Sequence, residues 1–424
     1  MPAVLTFRSF LRGRATSLYR CSAIPALWLL LFPTICACQS SRSSFLCQAG
    51  SGTFDGEFRT GVKVHIGTTK EGGDVALATR SCSAKLQWDK EELTVANGAA
   101  ALDLDAFGID LGDGTPAAAF QVKISNNHCC AEYRVYSLEK PPRLVRTIRG
   151  GEFFIASDVD LDGRVEIWTN DAAALDGFED LALSEFDFLP AMVLRFEPGR
   201  LFDVSTDFQN YYDEDIARAR STLQPQDVED FRKSDGRLAA PSTAESAGLT
   251  LRRRRTKTAI LEVVWGYLYS GREQDAWRSL AEMWPAADAD RIRAALVKAR
   301  AGGIRTQIDG ILTDHAGKRK SAHIFDASSR MGPSAKTEVS PPTAIQVEIP
   351  SASAMKLSAP SNGEAFLDLV IDGAGKVRSA TFAGKTEAAN PELIDSAMTW
   401  KFVPAQRNGR PVACRMHIAV SPKQ

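Results

Sequence analysis

The sequence predicts a multidomain α+β protein with a β-rich N-terminal domain, a helical middle segment and a small β-β-β-α-β domain at its C-terminal end. Short segments of alternating apolar and polar residues, such as Val62–Ile66 and Val165–Thr169, recur between residues 53 and 205. Apolar residues at helical spacing dominate residues 206–313, and strand-type alternation returns after residue 343. With 424 residues the chain is too long for one core, so several folded units are expected.

The charge balance and the motif content restrict the classes of function. The chain carries 51 basic and 52 acidic residues, and this balance lacks the positive excess that nucleic-acid binding needs. The sequence contains no nucleophile elbow, His-Glu-x-x-His zinc motif, phosphate loop or dinucleotide fingerprint, and its five histidines are scattered. We therefore expect a protein that is not an enzyme and has no nucleic-acid partner.

The first 37 residues have the pattern of an export signal. A basic stretch without acidic residues precedes an apolar run at residues 23–37, which is short for a membrane span of about 20 residues. Cleavage after Ala37 exposes Cys38, and the run Ile35–Cys38 resembles the lipobox of bacterial lipoproteins, which implies lipidation of Cys38. Lipidation, secretion and an uncleaved anchor stay open. Each places the chain in the bacterial cell envelope, facing the periplasm, with residues 38–52 as a linker.

The cysteines agree with export to an oxidising compartment. The expected disulfide partners are Cys47, Cys82, Cys129 and Cys130, and their connectivity stays open. Adjacent side chains of a strand point to opposite faces. We therefore expect Cys129 and Cys130 to belong to two separate disulfides, or to one disulfide and one free thiol.

An acidic loop in the β-rich unit has the spacing of a calcium site. Carboxylates occupy loop positions 1, 3, 5 and 9, and Gly163 at position 6 allows the bend. The predicted ligands are Asp158, Asp160, Asp162, Glu166 and the main-chain carbonyl of Arg164. The loop runs directly into a strand and resembles the calcium loops of FG-GAP and VCBS repeats; an acidic turn without a metal is the alternative. A second acidic stretch, residues 103–114, is interpreted as turns.

Three apolar runs predict helices in the middle segment. They end at Ser270-Gly271, at Pro285 and at Gly302-Gly303, which are helix-stopping residues. The stretch from Tyr267 to Leu280 resembles a degenerate tetratricopeptide unit, but one unit cannot bury a continuous core. We expect a helical bundle packed on the β unit, followed by a polar linker at residues 314–342.

The C-terminal domain, residues 343–424, is predicted from a sequence of short elements. Its segments are an extended run at 344–349, a strand at 366–371, a tight turn at 372–375, a strand at 376–382, a helix at 391–398 and a last strand at 412–420. Together they predict a small sheet with a helix on one face.

Within this domain, residues 343–422 resemble the C-terminal domain of TonB-family energy transducers. The run Trp400-Lys401-Phe402-Val403-Pro404-Ala405, followed by Asn408-Gly409-Arg410-Pro411-Val412, carries the resemblance. It implies that the sheet edge binds an extended peptide of an outer-membrane receptor, or of another envelope protein, by strand addition, in energy-coupled transport. The implied peptide-binding edge consists of Val412, Cys414, Arg415, Met416, His417 and Ile418.

Two departures from the TonB pattern limit what the resemblance implies. Residues 1–37 contain no histidine, and no long proline-rich spacer precedes residue 343. The fold is therefore implied more directly than energy coupling. Two rival functions stay open: a calcium-stabilised surface-binding or adhesion module with a structural TonB-like domain, and an envelope hydrolase or redox protein that uses carboxylates or Cys129 and Cys130 of the β unit.

Overall fold

The fold is mixed α/β, with β-sheets in the N-terminal region, helices in the middle and a smaller β-rich unit at the C-terminal end. The predicted class is confirmed at this level. The computed structural model describes residues 45–71, 79–125, 129–238, 244–312, 322–327, 339–350, 365–383 and 391–420.

The N-terminal region is built from antiparallel strands. They are β1 (Cys47–Gln48), β2 (Phe54–Glu57), β3 (Lys63–Glu71), β4 (Thr79–Trp88), β5 (Glu91–Ala99), β6 (Ala101–Asp110), β7 (Pro116–Lys123), β8 (Ala131–Ser137), β9 (Leu144–Gly151), β10 (Phe154–Ser157), β11 (Glu166–Asn170), β12 (Ala191–Glu197) and β13 (Arg200–Asp203). Their sheets have the orders β2-β3-β4-β5, β1-β6-β7-β8-β9 and β10-β11-β12-β13, and β14 (Gly310–Ile311) extends the last sheet in parallel. Two segments predicted from alternation, Val62–Ile66 and Val165–Thr169, lie largely in β3 and β11.

One short helix lies between β11 and β12, and the longer helices follow the sheets and pack on them. They are α1 (Ala172–Leu175), α2 (Gln209–Thr222), α3 (Pro225–Arg232), α4 (Ala244–Tyr269), α5 (Glu273–Met283) and α6 (Ala289–Gly302). The three predicted helices are confirmed as α4, α5 and α6, which end at or beside the predicted stops. Buried side chains of strands and helices, among them Ile167, Leu194, Ile216 and Trp265, form one apolar cluster, so the β unit and the helices share a core.

The disulfides give the largest difference from the sequence-based expectation. Cys47 pairs with Cys82, and both lie in the apolar core between the first two sheets. Cys129 pairs with Cys130, so the prediction that they belong to different bridges, or that one is free, was wrong. The pair precedes β8 and is not in a strand, so the opposite-face argument does not apply to it.

The C-terminal unit combines short strands with one helix. Its elements are β15 (Phe325–Asp326), β16 (Val339–Ser340), β17 (Thr343–Gln346), β18 (Ala365–Ile371), β19 (Val377–Phe382), α7 (Pro391–Ala397), β20 (Lys401–Val403), β21 (Ala405–Arg407), β22 (Arg410–Val412) and β23 (Cys414–Val420). The main sheet has the order β15-β23-β18-β19. Trp400 is buried among Leu369, Leu393 and their neighbours, which places the helix on one face of this sheet.

Three details of this unit differ from the expectation. β15 and β16 lie within the stretch interpreted as a linker. β17 pairs with β20 and not with the main sheet. Val412 belongs to β22, which forms a hairpin with β21 through Asn408 and Gly409, both at positive φ, so the last strand begins only at Cys414. Val412 is therefore not part of the sheet edge to which it was assigned.

Candidate cation site and peptide-binding edge

The acidic loop connects β10 to β11 and is organised by its first carboxylate. Asp158 Oδ1 accepts the N–H of Asp162 at 2.9 Å, and its Oδ2 accepts the N–H of Gly163 at 3.0 Å. Gly163 has a φ of 85°, in the region that favours glycine. These bonds hold the loop in a tight bend, with its acidic side chains converging.

Three carboxylates lie together at this bend. Oxygens of Asp158, Asp160 and Glu166 are all within 4.8 Å of one another. Burial, followed by the charge of Asp372, raises the pKa of Asp158 to about 8. Burial also raises the pKa of Glu166 well above its ordinary value, although Arg195 opposes this shift. A divalent cation among these oxygens would relieve both the repulsion and the desolvation.

Arg195 provides the counter-charge on the strand next to Glu166. Its Nε and Nη2 donate to Glu166 Oε1 at 3.0 and 2.7 Å, and both side chains are buried. Glu166 Oε2 accepts the N–H of Val159 at 3.4 Å, near the limit of a hydrogen bond. Since a carboxylate oxygen has two lone pairs, Oε2 keeps the capacity to ligate a cation.

One of the predicted ligands, Asp162, has another role. The side chain of Asp162 forms an ion pair with Arg164 and also accepts the Arg164 N–H at 2.9 Å. Asp162 is not a member of the group that its three acidic neighbours form. The prediction of Asp158, Asp160 and Glu166 as neighbours fits this geometry, whereas Asp162 neutralises Arg164 instead of joining them.

A carboxylate from the C-terminal unit lies against the loop. Asp372, in the turn between β18 and β19, accepts the hydroxyl of Ser157 at 2.8 Å and the N–H of Asp158 at 3.0 Å with its Oδ2. Its Oδ1 accepts the N–H groups of Ala374 and Lys376, each at 2.9 Å. Asp372 was recognised in the sequence only as a turn residue. Its contact with a loop 214 positions away has no local signal.

Two lysines fix the C-terminal unit to the β unit. Lys376 Nζ lies 2.7 Å from Asp105 Oδ1, and Lys401 forms an ion pair with Asp103. Both aspartates are buried in β6, so the interpretation of this acidic stretch as turns was wrong for them. Because a buried carboxylate requires a partner, these pairs make the C-terminal unit part of the same structure as the β unit.

The residues of the candidate peptide-binding edge lie on both faces of β23. The Cys414 side chain is buried in the core of the C-terminal unit, and Met416 and Ile418 are half-buried on the same face. Arg415 and His417 are exposed on the other face, and His417 Nδ1 lies 2.6 Å from Asp368 Oδ1 on β18. These side chains therefore fix which face of β23 packs against the core, while the main chain of β23 provides the hydrogen-bonding groups of the edge.

One side of β23 pairs with β18 along its full length, and the other side carries a short guest strand. The N–H of Phe325 donates to Ala413 O at 3.0 Å, and that of Ala327 donates to Arg415 O at 2.8 Å. The odd-numbered residues of β23 direct their main-chain groups to this side. In the described residues, β15 covers only the beginning of β23 and no strand pairs with this side at residues 416–420.

The predicted export signal and the lipidation site Cys38 lie outside the described residues. Within the described residues, no helix combines the length and the apolar character needed to cross a membrane. Comparison of the chain with protein-family models, curated proteins and solved structures gives no match.

Proposed function

We propose that the chain is a non-enzymatic protein of the bacterial cell envelope that binds an extended peptide of a membrane receptor by strand addition to β23. The observation that carries the proposal is the guest strand β15, which already adds to this edge through main-chain hydrogen bonds. An edge that accepts one extended segment offers the same donors and acceptors to another. The export signal in the sequence supports an envelope location, and the TonB-like motif supports a receptor peptide in energy-coupled transport.

A proline at residue 419 tests the edge. The N–H of Ala419 points away from β18, so Ala419→Pro removes a donor from the free side without removing a bond of the existing sheet. We expect this change to weaken binding about tenfold, because one hydrogen bond is lost and the ring hinders a neighbouring strand. Binding is measured by titrating the full chain with synthetic ten-residue peptides from periplasm-facing segments of outer-membrane receptors.

Ala419→Val is the matched control. It also enlarges this exposed side chain but keeps the N–H, so its affinity should stay close to that of the native chain. Melting temperatures of both variants show whether the sheet is intact. Equal affinities of the proline and valine variants would mean that the peptides bind elsewhere, and the strand-addition proposal would fail.

A second candidate is a calcium-stabilised surface-binding or adhesion module in which the C-terminal unit is structural. The converging carboxylates of Asp158, Asp160 and Glu166 favour calcium binding. The buried pairs of Lys376 and Lys401 with the β unit favour a structural C-terminal unit. Calcium binding is compatible with both candidates. Calcium-dependent capture of a surface ligand by a chain whose β23 edge is blocked is expected only of the surface-binding module.

Asp160→Ala tests the cation itself. Calcium should raise the melting temperature of the native chain, and the variant should lose most of this rise because one of three converging ligands is gone. In chelator the variant should be at least as stable as the native chain, since a repelling charge has been removed. The exposed Asp176→Ala is the control, and differential scanning calorimetry gives the temperatures. An equal decrease with calcium and with chelator would argue against a cation at this loop.

A further inference from the structure

The guest strand on β23 has specific side-chain contacts as well as main-chain bonds. The guanidinium carbon of Arg407 lies 4.7 Å from the centre of the Phe325 ring, a cation–π contact. The ring of His323, which belongs to the guest segment itself, packs edge-on against the Phe325 ring with the ring centres 4.2 Å apart. Ala327 packs against the apolar core of the C-terminal unit. The edge therefore has a defined place for an aromatic residue, with a place for a small residue two positions later.

The residue between these two positions lies beside a basic residue of β23. Asp326 is in register with Arg415, and both side chains are exposed, so an acidic and a basic residue lie side by side on neighbouring strands. The pairing is parallel, so this edge takes a segment that runs in the same direction as β23. An aromatic, an acidic and a small residue in consecutive positions thus match Arg407, Arg415 and the apolar core in that order.

We infer that residues Ala322–Ala327 are a resident occupant of the peptide-binding edge, and that a partner peptide displaces them by presenting the same aromatic-acidic-small sequence in the same parallel direction. This inference rests on the proposed function of β23. The resident segment contributes two donors to the edge, from Phe325 and Ala327. A segment held by few bonds can be exchanged for a longer guest that also pairs with the remainder of β23.

Displacement is tested in the full chain with proline substitutions in the resident segment. Ala327→Pro removes the N–H that donates to Arg415 O, whereas Ile324→Pro removes an N–H that points away from β23 and leaves Phe325, Asp326 and Ala327 unchanged. The probe is a labelled synthetic peptide with the sequence of residues 322–329. We expect Ala327→Pro to bind the probe about tenfold more tightly than the native chain, because the competitor is weakened. Ile324→Pro, which keeps the three matching residues, should change the affinity much less.

A second variant and two altered probes complete the test. Phe325→Ala in the chain removes the ring from Arg407 and should tighten binding in the same direction as Ala327→Pro. Phe325→Ala or Asp326→Lys in the probe should weaken its binding severalfold. The lysine would place like charges side by side at Arg415.

The possible outcomes separate this inference from the function on which it rests. If receptor peptides bind the native chain and Ala419→Pro weakens them, but Ala327→Pro and Phe325→Ala change nothing, strand addition stands and the resident segment is not a competitor. If neither the Ala327→Pro chain nor the Phe325→Ala chain binds the probe or the receptor peptides, strand addition to β23 fails as well. Tighter binding of the probe by Ala327→Pro and by Phe325→Ala, but not by Ile324→Pro, supports the inference.

Discussion

Replacing Arg195 with methionine is expected to lower the free energy of unfolding by about 3–5 kcal/mol, because it leaves a buried charge without its partner. The Arg195 and Glu166 side chains are 1% and 0% exposed. Without the guanidinium, the Glu166 carboxyl group must either bear its charge in the core beside Asp160 or take up a proton that the unfolded chain releases. Methionine is apolar and flexible enough to fill the space of the arginine stem. Urea denaturation in chelator, followed by circular dichroism, gives the value.

Arg200→Met on β13 is the matched control. Its side chain is exposed and its guanidinium carbon lies 5.0 Å from the centre of the Phe202 ring, so we expect a loss of less than about 1 kcal/mol. The double variant Arg195→Met/Glu166→Gln should recover part of the loss, since the uncompensated charge is gone. Similar losses of unfolding free energy in the two single arginine variants would show that the buried pair contributes no more to stability than the exposed arginine.

The elements that could be predicted from the sequence are those with a local signal. Apolar residues at helical spacing, ended by Gly271 or Pro285, predict α4 and α5 because a helix buries one face and stops where the backbone requires it. The acidic loop was located in the same way, since alternate carboxylates and Gly163 are close in sequence. The pattern did not reveal what each carboxylate contacts. Asp162 has the spacing of a ligand, but it forms an ion pair with the nearby Arg164.

The contacts between units had no such signal. Asp372 and Lys401 meet partners more than 200 positions earlier in the chain, and sequence spacing says nothing about pairs at that distance. The same holds for Phe325–Ala327, whose polar surroundings indicate a linker although two of their N–H groups extend a sheet. Short edge strands gain their order from the strand they join, and their own sequence contributes little to it. The candidate peptide edge was therefore recognised, but its resident occupant was not.

Glu262, in the C-terminal half of α4, is another buried carboxyl group, and its protonation makes the stability of the chain depend on pH. Glu262 is only 3% exposed, and its Oε1 accepts the N–H groups of Asp187 and Phe188 at 2.5 and 3.3 Å. Burial, followed by the charge of Asp187, raises its pKa to about 8. The two N–H donors and the positive charge of Arg218 oppose this shift without cancelling it.

The raised pKa means that the folded chain holds a proton that the unfolded chain releases. Between the ordinary pKa of 4.5 and the folded value of about 8, stability therefore falls as pH rises, and the contribution of Glu262 is fully present only below this window. We expect Glu262→Gln, which stays neutral and can accept the same two N–H groups, to remove this loss. At pH 5 the variant should match the native chain, and at pH 8.5 it should be more stable by about 3 kcal/mol.

Urea denaturation at both pH values measures this difference, and Glu282→Gln, at an exposed position of α5, is the control for replacing a glutamate. A gain that is the same at pH 5 and pH 8.5 would contradict a proton-linked cost. The gain should also be the same with calcium and with chelator, because Glu262 is not a member of the converging carboxylate group in the described residues. A cation can replace the proton only where several carboxylate oxygens converge, whereas a single buried carboxyl group such as Glu262 can only keep its proton or bear the cost of its charge. The response to calcium at alkaline pH therefore separates a cation-binding loop from burial alone.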